Sequence, residues 1–305
     1  MSRYFVLDMG GTFVKYALMD ENARILEQGK FPAQVEDLGK LLDDIESKAR
    51  AFEGGFDGVA VSMPGRIDTT KGIAYTGGSY RFFENTPFEK MLEDRLHVPV
   101  TLANDGKCAA MAEVGDGALQ DVNSGAVVVI GTGIGGGIVL DRKVWMGSSG
   151  GAGEFSWTLA DFPVFAREDL AVSDLFGAVW TGMSSATALV MMYATRKGED
   201  PSAHSGLTFF EAYDSGDPDA IEVLKQFGRN TAAGIYSIQS VLDLERYAIG
   251  GGISARKEVT DVIRDCLNER FAMIPIVPFS KPEIVTCRYG NDANLIGALR
   301  FHLNR

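Results

Sequence analysis

The sequence predicts an α/β fold of two domains, on three observations. Two glycine-rich turns are built alike and lie about 120 residues apart, each between two apolar, strand-like runs. Apolar residues at helical spacing alternate with short apolar runs along both halves. The length of 305 residues suits two domains, each with a sizeable core.

The first turn, Asp8-Met9-Gly10-Gly11-Thr12, joins the apolar runs 4–7 and 13–19. The second, Gly131-Thr132-Gly133-Ile134-Gly135-Gly136-Gly137, joins 126–130 and 138–140. Each second arm ends in an acid, Asp20 and Asp141. Two such turns point to a duplicated β-hairpin. Residues 3–31 read as three strands, and Val35, Leu38, Leu41, Leu42, Ile45 and Ala49 form the stripe of a helix over 35–52. A strand at 56–62 stops at Met63-Pro64-Gly65, and a polar, aromatic loop fills 66–86. A helix at 87–96 and a strand at 98–103 follow, and a helix starts at Asn104-Asp105. The Gly, Asp and Asn of 115–125 mark the domain boundary, giving domains of 1–120 and 121–290. After the second hairpin, 147–183 is irregular, and Ser184, Ser185 and Thr187 read as caps of the helix that follows. Helices are expected at 184–197, 207–214, 217–242, 255–271 and 291–304, and strands at 246–249 and 283–287.

Composition narrows the function. A net charge of −12 argues against nucleic-acid binding, which needs clustered Lys and Arg. It leaves a nucleotide open, because backbone N–H groups and Mg²⁺ neutralise phosphate locally. The first residues enter a strand without a targeting pattern, and no apolar run approaches the roughly 20 residues of a membrane span. Cys108, Cys266 and Cys287 are widely spaced, as are the three histidines, which fits a reducing cytoplasm and gives no metal framework.

Successive N–H groups in a glycine turn make an anion nest. In the first turn Asp8 adds a carboxylate, Thr12 a hydroxyl and Lys15 a cation, although Lys15 can equally face solvent. Two such hairpins gripping one nucleotide's phosphates make a phosphotransferase, and an ordinary hairpin turn is the plain alternative. The second turn also fits G-x-G-x-x-G, but that pattern needs a following helix and a strand follows here, which disfavours a dinucleotide oxidoreductase. A third cluster, Gly250-Gly251-Gly252, joins a strand to a helix, with Ser254 as a plausible cap and the helix dipole facing an anion.

Asn104-Asp105 sits where a strand becomes a helix. Beside two phosphate turns, Asp105 suits the base that takes a proton from an attacking hydroxyl; alone it reads as a cap. Asp8, inside the first turn, suits Mg²⁺ through water. Glu154 in Gly153-Glu154 suits sugar hydroxyls, or a loop ion pair. Tyr80, Phe82, Phe83, Trp157 and Trp180 either stack on a sugar or pack locally.

These residues together resemble the ROK family of bacterial sugar kinases and repressors. The matching segments are Leu7-Asp8-Met9-Gly10-Gly11-Thr12, Val61-Ser62-Met63-Pro64-Gly65, Asn104-Asp105, Gly131 to Gly137, Ala152-Gly153-Glu154 and Gly250-Gly251-Gly252-Ile253. The resemblance implies an actin-like, hexokinase-type ATPase fold of duplicated ribonuclease H-like domains, with 291–305 packing back onto the first. It implies Asp105 as catalytic base and Gly78, Asn104, Asp105 and Glu154 at the sugar. It implies Asp8, Gly10, Gly11, Thr12, Lys15, Gly131, Thr132, Gly133, Gly250, Gly251 and Gly252 at the nucleotide. The expected ligands are ATP with Mg²⁺ and a small sugar, in a cytoplasmic homodimer.

One departure stands out. The family's Glu-x-Gly-His and cysteine loop bind zinc, but here Trp157 replaces the His and no Cys lies between Cys108 and Cys266. The chain therefore resembles the zinc-free subgroup that includes β-glucoside kinases, supported by Gly72 to Gly78, Arg81-Phe82, Asn85 and Gly290-Asn291-Asp292-Ala293. That implies phosphorylation of the 6-hydroxyl of a glucose unit, with room for an aglycone where the His is missing. The alternatives are a kinase for N-acetylmannosamine or fructose, or a sugar sensor without a DNA-binding domain.

Overall fold

Strands β1 (Arg3–Met9) and β2 (Phe13–Asp20) pair antiparallel across the first glycine turn, and β3 (Ile25–Pro32) continues the meander. The computed structural model describes residues 2–52, 54–274 and 276–305. Helix α1 (Leu38–Arg50) begins where the Asp37 carboxylate accepts from Lys40 N at 2.9 Å. It buries Leu41, Leu42, Ile45 and Ala49, the stripe expected of it. Strand β4 (Gly58–Met63) is buried along its whole length, as befits a central parallel strand. The short pair β5 (Ile67–Asp68) and β6 (Ile73–Ala74) precedes α2 (Phe88–Leu96), β7 (Val100–Asn104) and α3 (Asp105–Asp116). The sheet order is β3-β2-β1-β4-β7, with β1–β4 and β4–β7 parallel.

The second half repeats this plan. Strands β8 (Gly125–Ile130) and β9 (Ile134–Leu140) form the antiparallel hairpin of the second turn, and β10 (Lys143–Trp145) follows. Three short helices, α4 (Phe162–Phe165), α5 (Val172–Ala178) and α6 (Thr181–Ser184), punctuate the stretch expected to be irregular. Then come α7 (Ala186–Lys197), α8 (Gly206–Asp214), α9 (Pro218–Leu242), β11 (Arg246–Gly250), α10 (Lys257–Met273), β12 (Glu283–Thr286) and α11 (Ala293–Leu303). Strand β11 lies parallel between β8 and β12. An antiparallel hairpin flanked by two parallel strands thus occurs twice, as duplicated glycine turns require.

The chain divides into two units, one of 1–117, 143–153 and 291–305, the other of 118–142 and 154–290. Each has its own apolar core. The first gathers Phe5, Leu7, Leu41, Ile45, Val59, Phe88 and Leu102. The second gathers Val128, Trp180, Phe209, Phe227, Ile235, Tyr247 and Ile263. In the first unit α11 buries Leu295, Ile296, Gly297, Ala298 and Leu299. Gly297 is required there, since a Cβ would collide with the Cys108 carbonyl of α3.

Candidate active site

In the first unit, parallel pairing aligns the ends of three strands. Asp8 on β1 is opposite Ser62 on β4, and Met63 is opposite Asn104 on β7. The sequence therefore delivers a carboxylate, Pro64-Gly65 and Asn104-Asp105 to the carboxyl edge of one sheet, where open α/β sheets bind ligands. Asn104 is the N-cap of α3, its Oδ1 accepting from Lys107 N at 3.3 Å while its Nδ2 donates to the Gly65 carbonyl at 3.0 Å. The cap is thus Asn104, and Asp105 occupies the first helical position, with Oδ1 accepting from Gly106 N at 2.8 Å.

Asp8 is buried and held from three sides. Asn294 Nδ2 donates to its Oδ1 at 3.0 Å, Ser62 Oγ donates at 3.4 Å, and Lys15 Nζ stands 3.4 Å from its Oδ2. Lys15 also donates to the Asn291 carbonyl at 3.2 Å, so its ammonium is drawn toward these partners. The glycine turn is closed by Gly10 N donating to Phe13 O at 3.1 Å, and Ala33 N donates to Thr12 O. The N–H groups of Gly11 and Thr12 have no protein acceptor among the described residues. The 66–86 loop folds back onto this turn. Tyr80 donates its hydroxyl to Gly10 O at 2.7 Å, and Ser79 Oγ lies 2.8 Å from where a Gly11 Cβ would be. Gly78, at φ +59°, passes over Pro64. The first turn, Gly78, Gly65, Asn104 and Asp105 are therefore linked into one patch. Burial, with the Asp8 charge adding to it, raises the Tyr80 pKa and keeps its phenol a donor.

The second unit holds the second turn and the third glycine cluster. Gly131 N donates to Gly133 O at 2.9 Å, and the Thr132 and Gly133 N–H groups have no protein acceptor among the described residues. The two turns thus present the same device, one closed N–H followed by two open ones. Thr187 Oγ1 donates to Thr132 O and Ala186 N to Gly131 O, seating the turn on the start of α7. Gly251, at φ +87°, lies so close to the Ile130 carbonyl that no Cβ fits. This places the third cluster against the residue preceding Gly131. A cavity of about 410 Å³ opens beside the turn, lined by Thr132, Gly133, Thr181 and Thr187 at its polar end and by Trp157, Phe176 and Met191 at its apolar end. Its size and mixed lining suit a purine with a phosphate-bearing tail. Glu154 is exposed at the entry to the turn Phe155–Trp157, in this same unit.

Several expectations need correction. Ser254 does not cap α10. It lies in the 3₁₀ turn Gly252–Ala255, where its hydroxyl donates to Gly251 O at 2.8 Å, and α10 starts at Lys257. The dipole of α10 therefore does not begin at the glycine cluster. Thr187 lies within α7, which Ser185 caps at 3.0 Å to Ala188 N. Tyr80, Phe83 and Trp180 are packed in the cores, while Trp157 faces the cavity with Phe176 at 6.1 Å. Sequence reasoning missed Ser62 and Asn294 as partners of Asp8. Only the strand register and the return of α11 bring them there. Among the described residues, no three His, Cys, Asp or Glu side chains are grouped to hold a metal, and no helix is long and apolar enough to cross a membrane.

Comparison with known proteins identifies the family. The model of the ROK family matches residues 4–304. A β-glucoside kinase of Klebsiella pneumoniae is 30% identical over 98% of this chain and 95% of its own. A ROK family protein from Streptococcus pneumoniae, solved in complex with sucrose, superposes with a TM-score of 0.86 at 25% identity, covering 99% of this chain and 98% of that one. A ROK family glucokinase from Streptomyces griseus, solved with glucose and AMPPNP, gives 0.82 at 25% identity over 98% of this chain and 99% of that one.

Proposed function

The chain belongs to the ROK family, and from that premise we propose that it is an ATP-dependent kinase that phosphorylates the 6-hydroxyl of a glucose unit, free or β-linked. The carrying observation is the patch in the first unit, where Asn104-Asp105, Gly65 and Gly78 lie on the same sheet edge as a glycine turn with two open N–H groups. The likeness to a β-glucoside kinase across nearly the whole chain supports the acceptor class, and one relative holds a disaccharide.

In this reading Asp105 takes the proton of the 6-hydroxyl as its oxygen attacks the γ-phosphorus. The bond from that phosphorus to the β,γ-bridging oxygen breaks, and ADP leaves. Asn104 spends one N–H and one lone pair on the fold and keeps the others for a sugar hydroxyl. Glu154 accepts from further hydroxyls. The 410 Å³ cavity takes the adenosine, and the Thr132, Gly133, Gly11 and Thr12 N–H groups take phosphate oxygens. Gly250, Gly251 and Gly252 border that nucleotide.

Mg²⁺ fits Asp8 through water better than directly, because Lys15, Asn294 and Ser62 already engage the carboxylate. Bound to the nucleotide, the ion neutralises phosphate charge. Asp8 and Lys15 orient that end of the phosphate chain.

The test is ADP release with ATP and Mg²⁺ over a panel of glucose, cellobiose, gentiobiose, N-acetylmannosamine and fructose. Turnover is expected with glucose or the β-glucosides. Asp105→Asn should remain folded and turn over about 10²–10⁴-fold more slowly. No ADP release with any sugar, or an unimpaired Asp105→Asn, would overturn the reading.

A further inference from the structure

Two segments of the first unit that run into the proposed sugar site enclose a second cavity, of about 560 Å³. One wall carries Arg66, Thr69, Thr70 and Tyr75, and the other carries Ser148 and Ser149. The first wall begins one residue after Gly65, whose carbonyl Asn104 grips. The second runs through Gly150 to Glu154 in four residues. The walls touch through backbone: Gly150, at φ +78°, has the Ile67 carbonyl 2.7 Å from where a Cβ would sit.

The first wall is a stack built from one carboxylate. Asp68 Oδ1 accepts from Thr70 N and Lys71 N at 3.1 Å each, and its Oδ2 accepts from the Tyr75 hydroxyl at 3.1 Å. The Lys71 ammonium lies 3.3 Å away and is balanced by it. Tyr75 is thereby fixed at both ends, since its own N–H donates to Arg66 O. The Arg66 guanidinium lies over the Tyr75 ring, 4.4 Å from its centroid, and has no carboxylate partner among the described residues. A stacked guanidinium holds its N–H fork in one plane without spending it. With Ser148 and Ser149 lining the same cavity, it gives a polar lining suited to a neutral, hydroxylated ring.

The chemistry of the acceptor gives that ring a place. In a β-linked disaccharide the second ring is attached at C1 and extends beyond the first, so an acceptor of this kind needs polar space adjoining the patch that holds Asn104 and Asp105, and the cavity wall that starts next to Gly65 adjoins it. We propose that this cavity is the subsite for the second, β-linked sugar of a disaccharide acceptor, and that Arg66 is its specificity-determining donor. The proposal rests on reading the adjoining patch as a sugar kinase site.

The experiment measures kcat/KM for glucose, cellobiose and gentiobiose in the native chain and in Arg66→Ala, with thermal melting to establish that the variant folds. The ratio of disaccharide to glucose kcat/KM is expected to fall about tenfold or more, carried by KM. An unchanged ratio, or a native chain that uses glucose and neither disaccharide, overturns the subsite and leaves the kinase reading standing. A native chain inactive on every sugar, glucose included, overturns both.

Discussion

The Tyr80 hydroxyl donates to Gly10 O at 2.7 Å and ties the first turn to the 66–86 loop, beside the bonds from Gly10 N to Phe13 O and Ala33 N to Thr12 O. Tyr80→Phe should cost about 0.5–1.5 kcal/mol in chemical denaturation. It should raise KM for ATP while leaving the sugar KM unchanged, because the loosened element is the turn proposed to hold phosphate. His302 carries a pH dependence. Its Nδ1 is 3.1 Å from Thr101 Oγ1, and its ring meets Tyr4 edge-on. Burial first, and the Arg305 charge second, lower its pKa from 6.5. The unfolded chain therefore binds this proton before the folded one does. The stability contributed by neutral His302 is complete above pH 6.5 and is lost as pH falls through the lowered folded value. Denaturation midpoints at about pH 7.5 and 5.5 should differ more in the native chain than in His302→Gln; equal differences would remove this assignment.

Among the elements, α9 backs the 410 Å³ cavity beside the second turn through Trp180, without contributing a residue to its lining. Gly234, inside this helix, faces the Trp180 indole, and an added Cβ would enter the ring. A helix-interior Gly→Ala change ordinarily stabilises by about 1 kcal/mol. Here the buried indole has nowhere to go and precedes Thr181, which lines the cavity. The clash should prevail, so Gly234→Ala should destabilise by about 1–3 kcal/mol and weaken ATP binding, measurable by titration calorimetry. At this scale the sequence was most readable. Both hairpins were visible because alternating apolar residues and glycines state a strand and its turn locally. The start of α3 was visible because Asn104 is a strong cap. The 3₁₀ turn before α10 was hidden, since Ser254 fits a cap and a tight turn equally. The helices within 162–184 were hidden because helices this short carry no periodicity. Of the candidate site, Asp8, the two turns and Asn104-Asp105 were legible as local patterns. Gly251 beneath Ile130, and Arg66 upon Tyr75, were not, because each depends on how separate segments are brought together.

For the whole molecule, the decisive fact is that the first unit is assembled from three stretches of chain. Helix α11 supplies six buried residues to it, Ala293 and Leu295 to Leu299, and Arg300 on that helix pairs with Asp116 at the end of α3. A chain ending at Gly290 should therefore lose soluble expression or its cooperative melt, and should show no kinase turnover even if some protein is recovered. Retained turnover would mean that Asn294 is dispensable to Asp8. The same bond has a consequence for synthesis. Asp8 leaves the ribosome early, but its partner Asn294 follows 286 residues later. At roughly 5–20 residues per second, that interval is on the order of 15–60 s. The stretch 154–290, the larger part of the second unit, emerges while Asp8 still lacks this partner. A nascent chain can thus build most of the second unit before the first is complete, so an interrupted chain carries an Asp8 that lacks its Asn294 partner.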